Sequence, residues 1–134
     1  MTVYSGCVGA DEFGRQLEAA ARKDGVHTEY LKDPTTPTGT MAVLIHGKER
    51  TFVVTLGAVS HFKLAHLESV AMKAALAQAR IIYYSAFSIT GSLDSMLAAG
   101  KYAADTGNTF MTNLAGAPVC CAAVENLLAQ VCSC

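Results

Sequence analysis

Arg50 is the residue whose type and position most invite a chemical reading, because it follows the turn His46-Gly47-Lys48-Glu49 and opens an apolar β-run, in the only compact trio of charges on a β-segment. Taken alone, an arginine so placed is a solvated rim charge. Asn113 is the polar residue best placed to face a ligand, since it ends a strand, and an Asx turn accounts for it equally well. Asp11 reads as a helix N-cap, and Asp94 and Asp105, on or at the end of a helix, read as solvated. Phe52 and Phe87 are by default core aromatics. His27, His46, His61 and His66 show no i, i+4 spacing around a glutamate, so a metal site built from this chain alone is not expected. Cys7, Cys120, Cys121, Cys132 and Cys134 resemble neither a secreted disulfide framework nor a zinc ribbon and read as reduced thiols. No spacing suggests a Ser-His-Asp or Cys-His arrangement, and the glycines form neither a Walker loop nor G-x-G-x-x-G.

Composition narrows the class. The 134 residues fit one ordinary domain. Hydrophobic residues make up 51% and charged residues 16%, and the mean hydropathy of +0.31 is high for a chain without a membrane span. Such a chain needs covering, by self-association through an exposed sheet edge or by segments beyond these residues. The net charge of −1, with no basic run longer than Arg22-Lys23, argues against a nucleic-acid partner. No stretch has the length of a transmembrane helix, and no basic and apolar leader follows Met1, so the expected location is the cytosol.

The elements that must position these residues alternate between β and α. Val3, Tyr4, Cys7 and Val8 lead to Gly9, and Asp11 then caps a helix carrying Phe13, Leu17, Ala20 and Ala21 on one face, with Glu18 and Arg22 at i, i+4 and Gly25 closing it. Val26 to Leu31 alternates as a strand, and Asp33-Pro34-Thr35-Thr36-Pro37 breaks it. Pro37 to Leu56 is then a β-ribbon projecting from an α/β body, and three β-runs in a row suggest a small sheet, or lid, over roughly 26–56. Leu67, Val70, Ala71, Ala74 and Ala77 predict an amphipathic helix ending near Arg80, and Ile81 to Tyr84 a buried strand. After the loop Phe87 to Gly91, Ser92 caps a helix through Leu93, Met96, Leu97, Ala103 and Ala104, which Asp105-Thr106-Gly107-Asn108 ends before the strand Thr109 to Thr112. That spacing is a βαβ crossover in a parallel sheet, with the loop Asn113 to Pro118 at a strand's carboxyl end and a last helix over Ala122 to Val131.

Taken together, Gly6-Cys-Val-Gly9-x-Asp11-x-Phe-Gly14, Pro37-Thr-Gly-Thr40, Arg50, Ala79-Arg80, Phe87, Asn113-Leu114 and Ala117-Pro118 resemble the ribokinase-like (PfkB) sugar and nucleoside kinases, and among them the adenosine kinases. The resemblance implies an α/β fold, a partial ribokinase-like, Rossmann-like parallel sheet flanked by helices, with a small β-lid over the substrate. It implies that Met41, Phe52, Val54, Leu56 and Phe87 line a nucleoside pocket, Phe52 and Phe87 being candidates to stack on a purine. It also implies that Arg50 reaches the transferred phosphate, where a planar guanidinium binds oxygens bidentately.

The function implied is phosphorylation of adenosine, or a related nucleoside, by ATP with magnesium, in purine salvage. This sequence lacks the family's Asn-x-x-Glu and Asp-Thr-x-Gly-Ala-Gly-Asp segments, and with the latter the catalytic base and the anion hole. The 134 residues are therefore expected to carry the lid and part of the pocket without turnover of their own, and the alternative is a truncated, non-catalytic paralogue that binds or self-associates. Val53-Val54-Thr55, Ser60-His61-Phe62 and Ser88-Ile89-Thr90-Gly91 depart from the family's usual residues near the expected pocket.

Overall fold

Thr2–Gly9 forms β1, Glu12–Lys23 α1 and Val26–Asp33 β2 in the computed structural model, which describes residues 1–113 and residue 116. The helix expected over Ala122 to Val131, residues 114, 115, 117 and 118 of the expected loop, and Cys120, Cys121, Cys132 and Cys134 lie outside the described residues. The chain divides into two units, Met1–Phe62 and Lys63–Cys134.

In the first unit β1 and β2 run parallel, in register from Thr2 opposite Val26 to Gly9 opposite Asp33. The crossover is α1, nucleated as the sequence indicates: Asp11 Oδ1 accepts from the Gly14 N–H at 2.9 Å, and Gly25, at φ 75°, takes the left-handed position after the helix. Glu18 accepts from Arg22 at 2.7 Å and from Lys32 at 3.0 Å, so one carboxylate serves both the helix and its tie to β2. The apolar face of α1 is not a core face. Phe13, Leu17 and Ala20 line an open groove of about 340 Å³ with Thr38, Gly39 and Thr40, and the buried position on the helix is Gly14. Tyr4 and Tyr30 meet edge to face at 5.8 Å.

Among the described residues β3 (Thr40–His46) and β4 (Glu49–Thr55) pair only with each other, antiparallel. The three β-runs therefore do not form one small sheet: β2 pairs with β1 along its whole length, and the ribbon proper is two-stranded. Alternation cannot reveal this, because a strand's partner is chosen by crossover geometry and not by its own pattern. A 3-10 turn, Gly57–His61, follows the ribbon and packs on β1, burying Ala58 completely.

The second unit opens with two short helices, α2 (Leu64–Leu67) and α3 (Val70–Gln78), where one helix was expected. Ser69 divides them, its hydroxyl accepting from the Met72 N–H at 3.3 Å, since a serine at such a point satisfies a new helix start better than it continues an old one. The division re-phases the face: Val70 is 88% exposed and Ala71, Ala74 and Ala77 are exposed, while Met72 is buried and Ala75, Leu76 and Ala79 are half-buried.

β5 (Ile81–Tyr84) and β6 (Thr109–Thr112) are parallel, from Ile81 opposite Thr109 to Tyr84 opposite Thr112, and α4 (Ile89–Thr106) is the crossover between them. The expected βαβ unit is present. Of β5, however, only Ile82 is buried. The buried stripe of α4 runs Ser92, Ser95, Met96, Ala99 and Ala103, whereas Leu93 and Ala104 are exposed. Gly107, at φ 73°, ends the helix, with Asn108 N–H donating to Ala103 O at 2.9 Å. Parallel strand pairs joined by helices make this an α/β fold. Among the described residues no helix is long and apolar enough to cross a membrane.

Candidate functional site

The ribbon gathers the candidate residues by register alone. The two-residue turn Gly47-Lys48, with Gly47 at φ 59°, sets His46 opposite Glu49. Ile45 then pairs with Arg50, Val43 with Phe52 and Met41 with Val54. Opposed residues share a face and faces alternate along a strand, so these six side chains lie on one side of the ribbon. Met41, Arg50, Phe52 and Val54, chosen from the sequence, are thus brought together. Val43 and Ile45 belong with them and were missed, although the turn position fixes their partners. Leu56 lies one residue beyond β4, at the entry to the 3-10 turn.

This face is uncovered: Met41, Phe52, Val54 and Leu56 keep between 49% and 57% of their surface exposed. Covering such half-exposed apolar side chains with a ligand stabilises by on the order of 1 kcal/mol apiece. Arg50 stands at the turn end of the face, its guanidinium carbon 5.9 Å from the centre of the Phe52 ring. The arrangement is an apolar floor with one cation at its rim, which suits a flat aromatic ligand carrying an anionic group.

Below the ribbon, two chain passes are pressed together. Ala58 N–H donates to Pro37 O at 2.8 Å, and a Cβ on Gly39 would stand 2.4 Å from Leu56 O and one on Gly57, at φ 52°, 2.3 Å from Pro37 O. Glycine is required at both places because backbone meets backbone. Two carboxylates brace this root. Asp11, beyond its cap, accepts from Thr38 Oγ1 at 2.6 Å and Thr38 N–H at 2.7 Å, while Thr38 Oγ1 accepts from Gly9 N–H at 2.9 Å. These bonds, Thr38's hydroxyl first, lower the Asp11 pKa. The same close packing explains two of the glycines of Gly6-Cys-Val-Gly9-x-Asp11-x-Phe-Gly14, since a Cβ on Gly9 would meet Thr38 N at 2.6 Å and one on Gly14 would meet Gly9 O at 2.4 Å, whereas Gly6 has room for one.

The second brace was not foreseen. Asp33 Oδ2 lies 2.6 Å from His61 Nδ1, and Asp33 Oδ1 accepts from Thr35 N–H, Thr36 N–H and Thr35 Oγ1 at 2.8, 2.8 and 2.9 Å. The His61 ring, followed by the two backbone donors, holds the Asp33 carboxyl well below the usual carboxylate range. No spacing signal marks a pair separated by 28 residues.

Phe87 and Asn113 belong to the second unit. Phe87 sits in the 3-10 turn Ala86–Ser88 that follows β5, 65% exposed. Asn113, just past β6, accepts through Oδ1 from the Ala86 N–H at 2.9 Å, so its amide ties together the exits of both parallel strands. Ser92 departs from the expected cap: it interrupts α4 at φ −157° and ψ 56°. Its hydroxyl donates to Ser88 O at 3.4 Å and lies 3.2 Å from Tyr84 Oη. Burial pushes the Tyr84 phenol up. Among the described residues no three His, Cys, Asp or Glu side chains cluster as a metal ion would require.

The family described as pfkB family carbohydrate kinase matches residues 1–131, and the chain belongs to that family. Adenosine kinases are among its relatives there: the Dictyostelium discoideum enzyme is 43% identical over 112 residues, 84% of this chain and 33% of the enzyme. The Anopheles gambiae adenosine kinase, solved with P1,P4-di(adenosine-5) tetraphosphate, superposes with a TM-score of 0.90 at 40% identity, over 96% of this chain and 38% of that one. The Schistosoma mansoni adenosine kinase in complex with 2-fluoroadenosine superposes at 0.89 with 26% identity, over the same shares of the two chains. The chain thus spans about a third of the length of the relatives it matches.

Proposed function

We propose that these residues form the nucleoside-covering ribbon and part of the pocket wall of an adenosine kinase, an enzyme of purine salvage in the cytosol. The observation that carries this reading is that Met41, Val43, Phe52 and Val54 lie exposed beside Arg50 on one and the same face of the ribbon. On it a purine nucleoside is covered by apolar contact, with Leu56 as further lining, while Arg50 binds the phosphoryl group passed to the nucleoside hydroxyl. Asn113, engaged with Ala86 N–H, positions the Phe87 turn more directly than it faces a ligand. ATP and magnesium are the cofactors this reading implies for the complete enzyme. The described residues offer no acidic cluster for the ion. A nucleic acid or a membrane is not among the partners we propose.

Isothermal titration of the 134-residue chain with adenosine and with AMP tests the reading. Saturable binding of both, with Arg50→Ala weakening AMP and sparing adenosine, is expected; equal loss for both ligands refutes the role of Arg50. Because the sequence holds no Asp-Thr-x-Gly-Ala-Gly-Asp segment, the chain is expected to form no AMP from ATP and adenosine by itself.

The ribbon also favours a second reading, a module that associates with its own copies. Leu44 and Val53 on the opposite face are 60% and 58% exposed, and among the described residues β3 and β4 each pair on one edge only. Light scattering showing a monomer across a hundredfold range of concentration would refute it.

A further inference from the structure

The contact between Arg50 and Phe52 carries more than a place on the lid. The two residues stand two apart on β4 and share its face, and the guanidinium carbon lies 5.9 Å from the ring centre, within cation–π range. Across the ribbon Ile45 faces Arg50 and Val43 faces Phe52, so the cation rests against apolar neighbours on its own sheet. Among the described residues Arg50 forms no ion pair with a carboxylate. A carboxylate would align the guanidinium by occupying the very donors that a phosphoryl group needs. A ring attracts the cation while leaving all five N–H groups available.

The geometry points to Phe52 as a positioning residue for Arg50: the aromatic ring holds the guanidinium over the ligand face before any anion arrives, in addition to whatever contact Phe52 makes with a nucleobase. This rests on the function proposed above. An arginine confined in this way loses less side-chain freedom on binding an anion, so removing the ring weakens the anionic ligand more than the neutral one. The ratio of the two affinities isolates that effect, because direct contact between Phe52 and the base contributes equally to both.

The test uses the full 134-residue chain as wild type, Phe52→Leu, Phe52→Tyr, Arg50→Ala and the Arg50→Ala/Phe52→Leu double variant, titrated with adenosine and AMP. Phe52→Leu should lower the AMP-to-adenosine affinity ratio by about two- to fivefold, the range of an exposed cation–π contact. Phe52→Tyr, which keeps the ring, should restore it. On the Arg50→Ala background the leucine should leave the ratio unchanged. A ratio unaltered by Phe52→Leu, or lowered equally with and without Arg50, overturns the proposal. If the wild type binds neither ligand, the function reading fails by itself. The positioning role is then decided by the Arg50 Nε–Hε resonance under inorganic phosphate: ring-shifted in the wild type and responding more weakly in Phe52→Leu supports it, and identical spectra and responses overturn it.

Discussion

Three glycines at the two ends of the ribbon separate two kinds of constraint, and alanine at each gives a graded outcome. Gly47, in the turn, has φ 59° and open space around its missing Cβ, so Gly47→Ala pays only for the left-handed backbone, about 1–2 kcal/mol. At Gly39 the backbone is not left-handed, but the new Cβ would stand 2.4 Å from Leu56 O, with Val59 Cγ2 at 3.2 Å. The chain passes must part by several tenths of an ångström, which as overpacking costs about 1–3 kcal/mol. Gly57 combines both conditions, at φ 52° with its Cβ 2.3 Å from Pro37 O, so Gly57→Ala should cost about 2–5 kcal/mol. Urea unfolding should give the order Gly57 above Gly39, with Gly47 at the low end, at constant m-value. Amide exchange localises the effect: Ala58 N–H, bonded to Pro37 O at 2.8 Å, should lose protection in Gly39→Ala and Gly57→Ala and keep it in Gly47→Ala. If Gly57→Ala is no more costly than Gly47→Ala and the Ala58 amide stays protected, the root is not the close-packed joint described above.

Thr38→Val should destabilise the first unit by about 1–3 kcal/mol, because it strands the Gly9 N–H that Thr38 Oγ1 accepts and removes a donor to Asp11, whereas Thr38→Ser should be far milder by urea unfolding. Ser69→Ala should cost about 1 kcal/mol by removing the acceptor for Met72 N–H, and Ser69→Asp should retain the cap, both read from chemical denaturation of the second unit. Asp33 has a lowered folded-state pKa, so the stability it contributes is fully present above its ordinary value of 3.8 and is lost as pH falls through the lower folded value. Urea midpoints measured between pH 6 and pH 2 should fall more steeply for wild type than for Asp33→Asn, and parallel curves would falsify the assignment.

The local signals were legible where one residue's own chemistry decides the outcome. Asp11 as an N-cap, Gly25 and Gly107 as helix ends and Gly47 in the hairpin turn follow from side-chain acceptors and from tolerance of positive φ. The parallel pairing of β5 with β6 was also readable, because a strand, a helix and a strand at that spacing leave few alternatives. The motif residues carried the family, and with it the choice of Met41, Arg50, Phe52 and Val54, which the register then set on one face.

The rest depended on which surfaces meet. Phe13 and Leu17 have the spacing of a core stripe and line an open groove, and Val70 and Leu93 have core character and face outward. Hydrophobic periodicity states what a helix can bury, and only the packed neighbours state what it does bury. The clasp of Asp33 with His61 and the double service of Asp11 to α1 and Thr38 join residues 27 and 28 positions apart. The sequence alone determined an α/β chain of the pfkB family with a ribbon, its caps, its turns and an arginine at a telling position. The tertiary structure decided that β2 belongs with β1, that the ribbon is two-stranded with both faces uncovered, and that Arg50 rests over Phe52. Those outcomes come from contacts between distant segments, whose free energies no local pattern contains.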